Sequence, residues 1–196
     1  MGVIKTALEI ALEKTDNIKV DKSSIDQFEM KQNGKKLANA FLAGEIDISA
    51  EIKKCKNSSS SLKQGIFEVL VTQIVLPGGK EDEKRLEKVG QGLSAVIANK
   101  EFTAMFQQLT QIAGQYLEEV SHYEQAIRQQ YAPKLRQKEE ELSRRMGREV
   151  HIDPLQDPEF ITFYNQHMTA LKSNYIPIIE QAREEAKRIF SENPVN

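Results

Sequence analysis

Arginine is the residue type whose clustering suggests binding chemistry in this chain. Five of the eight arginines lie between Arg128 and Arg148, where seven basic residues and three glutamates leave an excess of four positive charges. The whole chain, by contrast, has a net charge of −2. Guanidinium groups bind carboxylates and phosphates through paired hydrogen bonds. We therefore predict a docking surface for a protein partner, formed by Arg136, Arg144, Arg145, Arg148 and His151.

Two other interpretations of this basic stretch stay open. The arginines could bind structured RNA or a ribonucleoprotein surface, although no aromatic residues interleave with them as single-strand RNA binding favours. Alternatively, the stretch is a solvated face that is salt-bridged to its own glutamates and to acidic residues further along the chain. Those residues are Asp157, Glu159 and Glu180.

The histidines do not form a convincing metal or catalytic site. Glu119 and His122 have the Glu-x-x-His spacing of di-iron helical bundles, which need two such motifs. A second motif is missing, because the residue three positions before His167 is Tyr164 and not a glutamate. We expect His122 to face solvent and His167 to lie at the edge of the core. Acidic residues surround His151, yet their spacing fixes no metal geometry. We expect no metal site.

The only cysteine, Cys55, excludes an intrachain disulfide and fits a reducing compartment. The lysines on either side of it favour the reactive thiolate form. No histidine lies near it in the sequence, so nucleophilic catalysis is not supported. We expect neither catalytic residues nor a cofactor.

The element that must position the arginines is a pair of long antiparallel helices. Apolar residues recur at alternating steps of four and three, the spacing of an apolar seam on a helix. The seam of the first helix contains Phe102, Phe106, Leu109, Ala113, Tyr116, Val120, Tyr123 and Ile127. The seam of the second contains Ile161, Tyr164, Met168, Leu171, Tyr175, Ile178 and Ala182.

The turn between these helices predicts their ends and a register. Gly147 suits a left-handed helix C-terminus, and Asp157-Pro158 suits an N-cap followed by proline. Between them, Val150, Ile152 and Leu155 are expected to form an apolar lid. Matching the apolar residues predicts that paired residue numbers add up to about 306. The predicted pairs are Met146 with Phe160, Leu142 with Tyr164, Leu135 with Leu171, Tyr131 with Tyr175 and Tyr116 with Phe190.

This register leads to two further predictions. It places Pro133 close to Pro177, so the two helices are expected to share a bend or hinge. It also leaves the residues before about 113 beyond the C-terminus of the second helix. We therefore expect Phe102, Met105, Phe106, Leu109 and Ile112 to dock on the N-terminal helices.

The first half of the chain predicts several shorter helices. Apolar periodicity indicates helices over residues 3–14, 25–43, 62–76 and 81–98, with a strand as the alternative for residues 62–76. Phe28, Leu37, Phe41 and Leu42 are expected to form the apolar face of the second of these helices. Residues 46–52 are expected to be an irregular link, and Pro77-Gly78-Gly79 a plain interhelix turn.

The chain resembles an uncharacterised bacterial family of mostly helical cytoplasmic proteins. Four segments carry the resemblance: Lys5 to Glu13, Gly34-Lys35-Lys36-Leu37-Ala38, Tyr131 to Gly147, and Asp153 to Phe160. The resemblance implies a bacterial, cytoplasmic protein and assigns no activity. Charged residues interrupt the N-terminal apolar stretch, so no signal peptide is expected.

These observations predict an all-α protein with two parts. Residues 1–98 are expected to form a small helical bundle, and residues 101–192 an elongated, coiled-coil-like helical hairpin with a tip loop at 147–157. The predicted function is that of a non-enzymatic adaptor or assembly factor that binds a protein partner through the hairpin and its tip. The near-neutral charge favours neither membrane nor DNA binding, and the sequence allows a homo-oligomer.

Overall fold

The computed structural model of the protein describes residues 22–54 and 60–192. Within these residues the chain forms six α-helices, one 3₁₀ turn and no strand, which confirms the predicted all-α class. The predicted helix over residues 3–14 and the thiol of Cys55 lie outside the described residues.

The chain divides into two compact units, and the division falls between Val69 and Leu70. The first unit contains helices α1 (Lys22–Ala43), α2 (Ile48–Lys54) and most of α3 (Ser60–Thr72). The second contains α4 (Lys80–Ile97), α5 (Lys100–Met146) and α6 (Pro158–Glu192). The boundary predicted at residues 98–101 stays a prediction.

In the first unit, α1 and α3 meet at two glycines. A Cβ atom on Gly34 would collide with the carbonyl oxygen of Leu62, and one on Gly65 with that of Lys31. The lack of side chains therefore lets the two backbones approach closely. Glu68 binds Lys31 at 2.6 Å and Lys35 at 3.3 Å beside this crossing.

Two predictions for this unit are wrong. Residues 46–52 are not an irregular link, because α2 begins at Ile48, whose side chain is buried. The carboxylate of Asp47 accepts a hydrogen bond from the backbone N–H of Ser49 and so caps this helix. Phe28 is not part of the buried face of α1, since 62% of it is exposed.

In the second unit, the helix ends lie close to the predicted positions. Asn99 caps α5 by accepting hydrogen bonds from the N–H groups of Glu101 and Phe102. Gly147 ends α5 with a φ of 64°, and Asp157 caps α6 by accepting a hydrogen bond from the N–H of Glu159. At 1.5 Å per residue, the 47 residues of α5 are about 70 Å long.

The register of the α5–α6 hairpin differs from the predicted one. The rings of Tyr116 and Tyr175 are 4.9 Å apart, and those of Tyr131 and Phe160 are 5.3 Å apart. Both pairs add up to 291 rather than 306, a shift of about four helical turns. The predicted pairing of Tyr131 with Tyr175 is therefore wrong.

The shared proline hinge is wrong for the same reason. In the observed register Pro133 is level with the first residue of α6, whereas Pro177 is level with Gly114. Both prolines lie inside continuous helices.

The first turns of α5 contact α4 and also lie beside α6. The ring of Phe106 lies over Gly90 of α4, and Leu109 lines one groove together with Ala182 of α6. The expectation that these residues extend beyond the C-terminus of the return helix is therefore wrong, because the observed register brings the end of α6 back to them.

Candidate functional site at the hairpin tip

The segment between α5 and α6 runs back along the last turns of α5. The N–H of Val150 donates to Ser143 Oγ, and the N–H of Ile152 donates to Glu139 Oε1, both at 2.9 Å. A 3₁₀ turn, Pro154–Gln156, then leads to Asp157. The predicted apolar lid is incomplete, since Val150 and Ile152 are half-buried but Leu155 is 57% exposed.

Asp157 is the centre of a charged cluster that fastens this segment to α5. It is 5% exposed, and its Oδ2 accepts hydrogen bonds from Lys138 Nζ at 2.7 Å and from the Tyr131 hydroxyl at 3.0 Å. Glu159 Oε2 lies 2.9 Å from Lys138 Nζ and 2.8 Å from Lys134 Nζ. We call Tyr131, Lys134, Lys138, Asp157 and Glu159 the tip clamp.

The tip clamp keeps fixed charges around neutral pH. Burial alone raises the pKa of Asp157, but hydrogen bonds from Lys138, the Glu159 N–H and Tyr131 outweigh it and hold the pKa below its usual range. Hydrogen bonds from Lys134 and Lys138 lower the pKa of Glu159 to about 2. Hydrogen bonds to Asp157 and Glu159 raise the pKa of Lys138. Such groups suit ion pairing, because a general acid or base needs a pKa near the working pH.

In the folded chain the lysines and the arginines of the basic stretch have different ion-pair partners. Lys134 and Lys138 bind the acidic residues at the start of α6. Arg144 and Arg145 instead reach Glu140 at 3.7 Å and Glu141 at 3.0 Å on their own helix. These four pairs are those of the alternative in which the basic stretch is salt-bridged to its own glutamates and to acidic residues further along the chain: the lysines pair with the later residues and the two arginines with the glutamates.

The remaining predicted site residues are exposed. Within residues 22–54 and 60–192, neither Arg136 nor Arg148 has an ion-pair partner. His151 is almost fully exposed, and its Nδ1 lies 2.9 Å from Glu139 Oε1.

Only one of the predicted arginines lies beside an apolar surface. The side chains of Leu142 and Met146 are 37% and 52% exposed, although both lie on the side of α5 that faces α6 further down the hairpin. Arg145 is rotated by about 60° from Leu142 around the helix and by about 100° from Met146, whereas Arg144 is rotated by about 160° from Leu142 at 3.6 residues per turn. We call Leu142, Arg145 and Met146 the tip patch.

The tip patch adjoins a cavity of about 360 Å³. Arg145 and Leu142 line it from α5. The segment between α5 and α6, residues 147–157, lies on the other side, and we call it the return segment. The lining consists of Lys138, Glu141, Leu142, Arg145, Ile152, Gln156, Asp157 and Pro158. The cations at its edge are paired with carboxylates that also line it, Lys138 with Asp157 and Arg145 with Glu141. Such a cavity can accommodate an apolar side chain, and a carboxylate next to that side chain can replace Glu141 on Arg145.

The other sequence candidates have ordinary structural surroundings. His122 is exposed, and half-buried His167 has its ring centroid 4.5 Å from that of Phe163, both as predicted. The N–H of Gly78 donates to Asp82 Oδ2 within the interhelix turn. Among the described residues, no group of three or more His, Cys, Asp or Glu side chains is arranged to hold a metal ion.

Sequence reasoning missed the tip clamp as a unit. It recognised Asp157 as a cap and as one of the acidic residues that could salt-bridge to the basic stretch, but it did not pair Asp157 with Lys138 and Tyr131, because Lys138 and Asp157 are 19 positions apart. Only the correct register brings them together with Tyr131, and no local pattern specifies that register.

The fold and the tip define the class of this molecule as an all-α protein whose long helical hairpin ends in a charged, partly apolar tip. The chain belongs to a family of unknown function, DUF6657, whose model matches residues 49–188. That match covers the whole hairpin tip and confirms the predicted resemblance to an uncharacterised family.

No curated protein and no solved structure matches the chain. A search of the described helices finds none with the length and apolarity needed to cross a membrane.

Proposed function

We propose that this protein is a non-enzymatic adaptor or assembly factor that binds a protein partner through its hairpin tip. The observation that carries the proposal is the exposed apolar surface of Leu142 and Met146 beside a cavity of about 360 Å³. The partner segment would place an apolar side chain in this cavity and a carboxylate on Arg145.

The apolar seam of α5 continues further than its helical partner does. Because α6 begins at Pro158, level with residue 133, about two turns of α5 beyond Lys138 lie mainly beside the return segment. Burial of apolar surface contributes about 25 cal/mol per Å². Covering Leu142 and Met146 with a partner therefore buries apolar surface that the chain alone leaves exposed, and this burial favours binding.

Arg145 is available to a partner at little cost. The Arg145 and Glu141 side chains are 72% and 67% exposed, and exposed pairs of this kind contribute about 0–1 kcal/mol. A carboxylate on the partner can therefore replace Glu141 without a large loss to the fold.

The charge of the folded tip favours a protein partner over RNA. The return segment and the start of α6 bring four acidic residues, Glu149, Asp153, Asp157 and Glu159, back along the basic stretch. They offset its excess of four positive charges. RNA or ribonucleoprotein binding needs a net basic surface, and it is the alternative outcome of the test below.

Affinity capture with matched arginine variants tests the proposal. The tagged full chain is used to capture partners from a native bacterial lysate with and without nuclease, and each candidate partner is then purified and its binding measured directly. We expect Arg145→Ser and Met146→Ser to lose binding and Arg144→Ser to retain it. Arg144 is the control because it has the same kind of exposed ion pair outside the tip patch.

The outcomes separate the alternatives. An equal loss of binding by Arg144→Ser and Arg145→Ser would show that binding depends on the overall positive charge of the tip and not on the tip patch. Capture that depends on RNA would favour the ribonucleoprotein alternative. Full retention by all three variants would place the binding surface elsewhere.

We also propose that the protein acts in the bacterial cytoplasm. The single cysteine among 196 residues is compatible with a reducing compartment. Cell fractionation with an antibody against the native chain tests this location, and recovery in an extracytoplasmic fraction would contradict it.

A further inference from the structure

The methionines of the described chain differ widely in exposure. Met146 is 52% exposed and Met30 is 44% exposed, whereas Met105 is half-buried and Met168 is only 8% exposed. Two-electron oxidants such as hydrogen peroxide convert a methionine thioether into a sulfoxide. Because the oxidant must reach the sulfur, Met146 and Met30 are expected to react first. Of these two residues, Met146 belongs to the tip patch.

Met146 can carry an added oxygen without harm to the fold. It is the last residue of α5, and Gly147 ends the helix directly after it. Met168, by contrast, belongs to the buried cluster between α5 and α6. A sulfoxide at position 146 is therefore hydrated in the free chain, whereas a sulfoxide at position 168 would place a polar group in an apolar core.

The same oxygen changes the character of the tip patch. Leu142 and Met146 are its two apolar members, and Met146 is the more exposed of them, at 52% against 37%. Oxidation makes the methionine side chain polar, and burying a polar group that lacks a hydrogen-bond partner is unfavourable. Leucine does not undergo this reaction. The change in polarity therefore falls on the apolar side chain that a partner would cover most.

We propose that Met146 is a site of reversible oxidation by peroxide, which weakens partner binding at the tip patch; this inference rests on the function proposed above. The thioether sulfur attacks one oxygen of hydrogen peroxide, and the O–O bond breaks as the S–O bond forms. The leaving hydroxide takes the proton of the transferred oxygen and becomes water, so the sulfur loses the two electrons that the peroxide gains. Two thiols of a methionine sulfoxide reductase reverse the step by forming a disulfide, and the oxygen leaves as water.

Stepwise peroxide treatment followed by peptide mapping tests the site of oxidation. The full chain carries Cys55→Ser, which removes its only thiol. We expect the sulfoxide of Met146 to accumulate before those of Met105 and Met168. Circular dichroism should stay unchanged as long as Met168 is unmodified, and treatment is stopped at that stage. Oxidation of Met146 that is no faster than oxidation of Met168 would overturn the proposal.

Binding to the purified partner from the capture experiment tests the effect of oxidation. Peroxide is removed before the partner is added, and each chain is compared with its own untreated form. We expect oxidation to weaken binding roughly tenfold for the Cys55→Ser chain and for its Met30→Leu variant. Oxidation should have no effect on binding by its Met146→Leu variant, which has no sulfur at this position. Methionine sulfoxide reductase should restore binding by the first two chains.

The outcomes distinguish this inference from the proposed function. An untreated Met146→Ser variant that binds as well as the wild type would overturn the proposed function, and this result needs no peroxide. Loss of binding by Met146→Ser, together with undiminished binding by the oxidised Cys55→Ser chain, would overturn the oxidation site alone. An equal loss on oxidation by the Met146→Leu variant would assign the effect to another methionine and would also overturn it.

Discussion

Lys138 and Asp157 show how a few contacts hold the hairpin tip together. The buried carboxylate of Asp157 has three partners: an ammonium group, a phenol and a backbone N–H. A buried charge is costly unless its hydrogen bonds are satisfied, and here they are. The tip clamp therefore holds the return segment in place, and Arg145 takes no part in it.

The first prediction concerns the charge of Asp157. A carboxyl whose pKa is lower in the folded chain stabilises the fold above its unfolded pKa, and this contribution disappears as pH falls through the folded pKa. The lowered pKa values of Asp157 and Glu159 therefore predict that urea stability decreases from about pH 4 towards pH 2. Asp157→Asn retains a good cap but loses the charge. Its unfolding free energy should therefore fall furthest below that of the wild type near neutral pH, and the difference should shrink in acid.

The control for this prediction is Asp157→Ala, which removes the cap as well. It should cost about 1 kcal/mol more than Asp157→Asn in the free energy of unfolding, at every pH. A deficit of Asp157→Asn that stays constant or grows on acidification would contradict the assigned ion pair.

The α5–α6 seam explains why the register could not be read from apolar matching alone. An apolar residue recurs about every seven positions on each helix, so a shift of two repeats again places apolar residues opposite each other. The observed shift from the predicted register is close to this value. Specific contacts, such as Tyr164 with Glu124 at 2.6 Å and Asp157 with Lys138, decide between the alternatives.

The second prediction tests this register with cysteine pairs. In a Cys55→Ser background, Glu124→Cys combined with Tyr164→Cys should form an intrachain link with a short bismaleimide, because these positions face each other. Leu142→Cys combined with Tyr164→Cys should not, although it is a pair of the register predicted from the sequence. Peptide mapping of the linked monomer reads out the result. Linking of the second pair alone would restore the sequence-based register.

At the scale of the whole molecule, the chain forms two compact units, each with its own buried core. The first brings backbones together at Gly34 and Gly65. The second buries large side chains such as Phe102 and Phe160, each at most 1% exposed. Local changes in one core should therefore affect that unit first.

The third prediction uses the glycine crossing. Gly65→Ala puts a methyl group onto the backbone carbonyl of Lys31, which cannot move aside as a side chain can. We expect a loss of about 1–3 kcal/mol in unfolding free energy and faster hydrogen exchange in α1 and α3. Exchange in the α5–α6 hairpin should be unchanged. Gly79→Ala is the control, because nothing lies within 4 Å of its added Cβ atom. Equal rates of hydrogen exchange in α1 and α3 for Gly65→Ala and Gly79→Ala would contradict the close crossing of these two helices.

The sequence alone determined the class of fold and the ends of the long helices. Apolar periodicity, Gly147 and Asp157-Pro158 specify these features through interactions a few residues apart. The short helix α2 was missed because it depends on the burial of Ile48, which is a tertiary contact. The exposure of Phe28 could not be read from its apolar character for the same reason.

Only the tertiary structure decided the register, and with it the candidate site. The sequence singled out Arg136, Arg144, Arg145, Arg148 and His151 because they are close in number, but the helix places Arg144 and Arg145 on different faces. The return segment joins Arg145, Leu142 and Ile152 at one cavity and offsets the charge of the basic stretch. The physical reason is that a repeating seam has several nearly equivalent alignments, and only long-range contacts between individual side chains select one of them.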